Sequence, residues 1–340
     1  MKPSWKNPVK ITFFSAKPYD KASFNNQNKQ FGFELEYYET HLGPHIINAV
    51  EKADAICVFV NDRVNAQVIE ALAKKGIQVI ALRCAGFNNV DLQAAKASGV
   101  KVCRVPVYSP QAVAEHAVAM MLTLNRKTHK AYNRVREQNF SLNGLLGFDV
   151  HRKTVGVVGT GNIGSAFCKI MLGFGCKVIA YDVAVNKELE TKGVAFVPLP
   201  EILKQSDIIS LHCPLNDETH HLVNSNSISW MKKGVMLINT SRGGLIDTKA
   251  VIDALKSKQI GYLGIDVYEQ EEKLFFRDLS ANIIEDDAIQ RLMSFPNVLV
   301  TAHQAFFTEE ALQQIAQVTL NNINELVTGK NLANSAAQLA

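Results

Sequence analysis

Gly159-Thr160-Gly161-Asn162-Ile163-Gly164 directly follows the β-rich run TVGVV and opens a helical pattern, SAFCKIMLGFG. A strand, a G-x-G-x-x-G turn and a helix in that order form the context in which a short glycine pattern signals a dinucleotide site. Gly159 permits the tight turn, Gly161 lets the backbone approach a pyrophosphate, and Gly164 lets helix and strand pack closely. Backbone N–H groups at the helix start, around Asn162 and Ile163, point at the anion. The next β-rich run, KVIAYD, ends in Asp182, 18 positions after Gly164. A carboxylate there accepts hydrogen bonds from the adenosine ribose hydroxyls and repels a 2′-phosphate. Because residues 183–186 contain no arginine to receive such a phosphate, NAD is expected rather than NADP.

Three further polar residues could act on a substrate beside that cofactor. Arg242 follows the run VMLINT, and its planar guanidinium can grip the carboxylate of a 2-oxo acid while polarising the carbonyl. His303 follows the run VLVTA, and because an imidazole can both hold and give up a proton near the working pH, it suits the proton transfer that accompanies carbonyl reduction. Glu271 is a carboxylate of the kind that, beside such a ring, would favour imidazolium and hold it in one orientation. Taken singly, each is also an ordinary loop residue. The 32 positions between Glu271 and His303 do not by themselves establish contact.

Positioning these groups requires a particular scaffold. Short β-rich runs at 9–14, 55–60, 78–83, 101–105, 154–159, 177–182, 207–212, 235–240, 262–266 and 298–302 alternate with helical patterns, which predicts parallel sheets covered by helices. A length of 340 residues suits two domains with a cleft between them. Ser109-Pro110 reads as an N-cap and first helical residue, from which QAVAEHAVAMMLTLNRKTHKAYNRVREQ can run as one long helix. After the Pro296-Asn297 turn and its strand, the segment 309–327 reads as a helix ending near Gly329. The expected fold is α/β, with two Rossmann-like doubly wound parallel-sheet domains. Residues 1–104 and 300–340 are expected to form a substrate domain, and 105–299 an inserted NAD-binding domain.

Composition narrows the functional class. Lysine and arginine exceed aspartate and glutamate by only 36 to 32, so there is no electrostatic case for nucleic acid or an anionic membrane. Six cysteines without a C-x-x-C read as reduced structural thiols, and no metal site is expected. Lys2, Lys6 and Lys10 precede an apolar stretch, Ile11–Phe14, too short for a secretory signal, and a cytoplasmic location is expected.

Asn239-Thr240-Ser241-Arg242-Gly243-Gly244, Gly264-Ile265-Asp266-Val267-Tyr268-Glu269-Gln270-Glu271 and Thr301-Ala302-His303-Gln304-Ala305-Phe306-Phe307 resemble signature blocks of the D-isomer-specific 2-hydroxyacid dehydrogenases. Arg83-Cys84-Ala85-Gly86-Phe87-Asn88-Asn89-Val90-Asp91, Pro106-Val107-Tyr108-Ser109-Pro110 and His212-Cys213-Pro214-Leu215 are similar to its D-lactate branch. The resemblance covers nearly the whole chain. It implies that Arg242, Glu271 and His303 are catalytic, with Glu271 paired to His303 on this ground alone, and that the backbone at Ala85 and Gly86 helps hold the substrate carboxylate. By the same resemblance, Tyr108 and Phe306 wall the substrate's side chain. Cys213, Pro214, Thr219, Thr240, Ser241 and Asp266 would contact the cofactor, with Asp266 near the nicotinamide. The wider family usually has proline immediately after the catalytic glutamate, whereas Glu272-Lys273-Leu274-Phe275-Phe276 follows here. That departure resembles the D-lactate branch and argues against a phosphoglycerate or glycerate enzyme.

The implied reaction is reduction of pyruvate to D-lactate by NADH. Larger 2-oxo acids, or an NAD-sensing role like that of related corepressors, stand as alternatives. No nucleic acid or membrane partner is expected, and a homodimer or homotetramer is. No appended regulatory domain follows, so no feedback through one is expected.

Overall fold

The alternating β-rich runs build two parallel sheets. The structure, a computed structural model, describes residues 8–340, so Lys2 and Lys6 lie outside the described residues. β1 (Lys10–Phe13), β2 (Glu34–Tyr37), β3 (Ala55–Val58), β4 (Val79–Leu82) and β5 (Lys101–Arg104) form a five-stranded sheet in the order β2-β1-β3-β4-β5. β6 (Thr154–Val158), β7 (Lys177–Tyr181), β8 (Ala195–Phe196), β9 (Ile208–Leu211), β10 (Val235–Asn239), β11 (Ile260–Ile265) and β12 (Val298–Val300) form a seven-stranded sheet in the order β12-β11-β10-β9-β6-β7-β8. Every strand pair is parallel. β3, β4, β9 and β10 are buried along their whole length, as strands covered by helices on both faces should be.

The first unit comprises residues up to Ser109 together with Phe307–Ala340. Its C-terminal helix, Glu309–Val327, spans the predicted residues and packs on the helix Pro18–Asn28 and on β4 and β5. Gly329, at φ 75°, follows where a left-handed residue ends the helix. Beneath the loop that follows β4, the buried Arg83 guanidinium donates to Phe14 O (3.0 Å) and Ser15 O (2.8 Å) and pairs with Asp20 (3.2 Å).

The second unit is Pro110–Phe306. Both boundaries lie beyond those expected at 104/105 and 299/300. Val105 N–H donates to Cys84 O, which ties the chain after β5 to the first unit. Val300 pairs with Ile265, and Gln304 and Ala305 bond Asp266, so residues 300–306 stay with the second. The long helix also differs from expectation. It breaks into Pro110–Arg126 and Thr128–Arg136 because Lys127 adopts φ 52°. Nine residues of the first piece are buried and none of the second, so the apolar face that would sustain one straight helix ends at the break.

All six cysteines are buried, and among the described residues no disulfide joins any two of them. Among the described residues no helix is long and apolar enough to cross a membrane.

Candidate active site

β6 lies between β7 and β9, so the chain order reverses beside it. In an open parallel sheet a ligand binds at the carboxyl ends of the strands at such a point. The glycine turn stands there. A Cβ on Gly159 would lie 2.6 Å from Cys213 N, and one on Gly164 would lie 1.9 Å from Gly159 O, so neither position admits a side chain. A Cβ on Gly161 would meet nothing within 4 Å, leaving open space at the start of the helix Asn162–Gly173. Asn162 is exposed and Ile163 half-buried at that end. A tight turn, close strand–helix packing and an open helix N-terminus together fit a dinucleotide pyrophosphate.

Asp182 stands one residue beyond β7. Its Oδ2 accepts the backbone N–H (2.5 Å) and hydroxyl (2.9 Å) of Thr160, and its Oδ1 accepts Ala184 N–H (3.4 Å). Burial alone would raise its pKa, but these hydrogen bonds outweigh it and hold the carboxyl below its usual range.

The segments after β9 and β10 meet on the same edge. Ser241 Oγ donates to Cys213 O (2.7 Å), and Thr219 Oγ closes the adjoining turn by donating to Pro214 O (2.6 Å). Burial pushes the Cys213 thiol up to about 11, so it is a packing group rather than a nucleophile. Thr240 is 6% exposed, and its hydroxyl is buried with no hydrogen-bond partner among the described residues. An orphaned buried hydroxyl is costly unless something bonds it, which is a second reason the edge fits a polar ligand.

Arg242 follows in extended backbone and caps the 3₁₀ turn Gly243–Leu245. The fully buried Asn239 fixes this loop from both sides: its Oδ1 accepts Ser241 N–H (3.0 Å) and its Nδ2 donates to Arg242 O (2.9 Å). The half-buried guanidinium donates from Nη1 to Ser241 O (2.7 Å).

Glu271 and His303 do meet. His303 Nδ1 is 2.8 Å from Glu271 Oε1, while Glu271 Oε2 accepts Tyr268 N–H at 2.9 Å. His303 has φ 52°, a left-handed conformation that costs on the order of 1–3 kcal/mol in most non-glycine residues. Asp266 supplies the restraint: its backbone O accepts His303 N–H (2.7 Å), Oδ1 accepts Gln304 N–H (2.9 Å), and Oδ2 accepts Ala305 N–H (2.9 Å). Burial would raise the Asp266 pKa, but hydrogen bonds from His116, Thr301 and those amides hold it low. Phe276 lies beside the His303 ring, with centroids 5.9 Å apart.

Arg242, Asp266 and His303 therefore stand just past the ends of β10, β11 and β12, three neighbouring strands of one sheet. Phe306 is buried at the end of the same unit. Ala85, Gly86 and Tyr108 belong to the first unit, where Ala85 and Gly86 follow β4 and Arg104 Nη1 holds Ala85 O at 2.9 Å. The sequence reading missed Asn239, Thr160 and Thr301 as supports, since small polar residues at strand ends look alike until their partners are seen. His116 was legible in part: with Val113, Ala117, Met120 and Leu124 it falls on the apolar stripe of its helix, an unusual place for a histidine.

Residues 118–305 match the family described as D-isomer specific 2-hydroxyacid dehydrogenase, NAD binding domain. The chain is 53% identical over 324 residues to 2-hydroxyacid dehydrogenase homolog 1 of Schizosaccharomyces pombe, covering 95% of this chain and 98% of that protein. It is 51% identical over 326 residues to D-lactate dehydrogenase of Escherichia coli, covering 96% and 99%. The apo-structure of D-lactate dehydrogenase from Escherichia coli superimposes with a TM-score of 0.90 at 48% identity, covering 98% of this chain and 100% of that one. This chain belongs to the NAD-binding D-isomer-specific 2-hydroxyacid dehydrogenases.

Proposed function

We infer that the protein is an NADH-dependent D-lactate dehydrogenase, converting pyruvate and NADH with one proton to D-lactate and NAD. The observation that carries this reading is the His303–Glu271 pair: an imidazole anchored through Nδ1, standing on the sheet edge that also carries Arg242 and the glycine turn. End-to-end likeness to the Escherichia coli D-lactate dehydrogenase supports pyruvate among the possible 2-oxo acids.

When bound, the reduced nicotinamide supplies the hydride. Arg242 grips the substrate carboxylate through paired N–H donors and draws electron density from the adjacent carbonyl. His303 delivers its Nε2 proton to the carbonyl oxygen as that oxygen becomes a hydroxyl, and Glu271 stabilises the charged ring beforehand. The backbone at Ala85 and Gly86 holds the carboxylate, while Tyr108 and Phe306 flank the methyl group. Gly159, Gly161, Asn162, Ile163 and Gly164 take the pyrophosphate and Asp182 the adenosine ribose. Cys213, Pro214, Thr219, Thr240, Ser241 and Asp266 complete the cofactor contacts. The protein works in the cytoplasm as a homodimer or homotetramer, which sedimentation of the purified chain will establish.

The test is NADH oxidation with pyruvate, glyoxylate, hydroxypyruvate and 2-oxoisocaproate, with the product of the first assayed for handedness. Pyruvate should give the highest kcat/KM and only D-lactate. A preference for 2-oxoisocaproate would assign the enzyme to larger acids, and binding of NADH without turnover would indicate a sensor.

A further inference from the structure

The helix Pro110–Arg126 is mostly apolar on the face it buries, yet it places His116 there, with a side chain 17% exposed. His116 Nε2 is 3.1 Å from Thr301 Oγ and 3.4 Å from Asp266 Oδ1, and Thr301 Oγ donates to Asp266 Oδ1 at 2.5 Å. The direction of the chain follows by elimination. Asp266 is held ionised and offers only acceptors, and the single Thr301 proton is committed to it. Thr301 Oγ must therefore accept, and His116 must present Nε2–H. The relay runs from His116 to Thr301 to Asp266.

Asp266 is also the residue that holds His303 in its left-handed conformation, through its own carbonyl and through the amides of Gln304 and Ala305. A carboxylate gripping two amides of a strained loop can do so only if it keeps one rotamer. On its other side, the hydrogen bonds from Thr301 and His116 fix that rotamer. We propose that His116 is a positioning residue for the reaction: it acts through Thr301 and Asp266 to hold the His303 ring at the orientation needed for proton delivery, without touching the substrate. The inference rests on His303 being the proton donor.

Loss of the relay loosens the aim of His303 rather than its chemistry. A displacement of about 1 Å at a reacting group can cost about 100-fold in rate. His116→Leu is therefore expected to lower kcat for pyruvate reduction by about 10- to 100-fold. His116→Gln, whose amide N–H reaches toward the same oxygens, should stay within about threefold of the parent. In a His303→Ala background, His116→Leu should have no further effect, because there is no ring left to aim. A role confined to packing would instead lower thermal stability and reduce activity by the same factor in both backgrounds.

The experiment is a double-mutant cycle of His116→Leu with His303→Ala by single-turnover kinetics, with His116→Gln alongside and thermal unfolding of each variant. The proposal is overturned if His116→Leu stays within twofold of the parent. Equal losses with and without His303, or a Gln variant no better than Leu, would overturn it too. Should His116→Leu fail to fold, Thr301→Val cuts the next link and must show the same loss and the same silence without His303. If His303→Ala alone leaves activity intact, the proton-donor reading itself has failed, which is a separate outcome.

Discussion

Asp182 Oδ2 accepts both the backbone N–H and the hydroxyl of Thr160, so the carboxylate at the end of β7 is also a clamp on the glycine turn. In the proposed site, one residue would thereby both meet the adenosine ribose and shape the loop for the pyrophosphate. Its negative charge should make the enzyme prefer NADH over NADPH by on the order of 100-fold in kcat/KM, the scale expected when a charged group is left facing a like charge. Val183 is 89% exposed, so an arginine there meets no steric barrier. Asp182→Ser with Val183→Arg should shift preference toward NADPH while lowering Tm, because Thr160, 4% exposed, loses its acceptor. Equal kcat/KM for the two cofactors in the parent enzyme would contradict the assignment.

Arg242→Lys should lower kcat/KM for pyruvate by about 100-fold or more, since the ammonium keeps the charge but loses the forked contact and cannot sit over the carboxylate and the carbonyl at once. Asn239 bonds the backbone on both sides of position 242 and not the guanidinium, so the loop should keep its shape. Titration of NADH by fluorescence should give nearly the parent Kd. Intact pyruvate kinetics with failed NADH binding would mean that Arg242 serves the cofactor.

What was legible in the sequence and what was not divide along physical lines. Strands buried on both faces are uniform apolar runs, and those were read correctly. β2, ELEY, and β8, only Ala195–Phe196, were missed because both are edge strands whose polar or short sequences carry no such signal. The break at Lys127 was invisible because a lysine adopting φ 52° leaves no trace in composition. His303 falls in the unit Pro110–Phe306, beyond the expected boundary at 299/300, because Asp266 holds residues 303–305, for Gln304 a contact 38 positions away in sequence. The candidate site residues stand out in the sequence by their motifs. The groups that hold them, Asn239, Thr160 and Thr301, emerge only from distances, whereas His116 leaves a partial trace as a histidine on the apolar stripe of its helix.

His212 gives an acid-sensitive element beneath the glycine turn. Its Nε2 is 2.8 Å from Ser210 Oγ, its ring packs on Phe167, and burial pushes its pKa down to about 3. An unfolded histidine takes up a proton near pH 6.5, so between about 3 and 6.5 the unfolded state binds more protons. The contribution is whole above pH 7 and falls as pH falls, by at most about 1.4 kcal/mol per unit, or about 2 kcal/mol from pH 7 to 5. Urea unfolding of the parent and of His212→Gln at both pH values should show the variant losing about 2 kcal/mol less. Identical losses would place the acid sensitivity elsewhere.

The Glu271–His303 pair makes the strictest demand. Glu271 Oε2 accepts Tyr268 N–H, and Oε1 faces His303 Nδ1, which carries a proton whenever the ring is charged. A carboxylate satisfies both donors. An amide cannot, because Glu271→Gln supplies one acceptor oxygen and an NH₂ that must face either Tyr268 N–H or the ring. The variant should therefore lose turnover through a misdirected ring, by about 10- to 100-fold, with little change in NADH binding. His303→Ala should cost about 10²- to 10⁴-fold. Because the carboxylate acts through the ring, adding Glu271→Gln to His303→Ala should lower the residual rate by no more than about threefold. Multiplying losses in the double variant would show that Glu271 serves the site by some route other than His303.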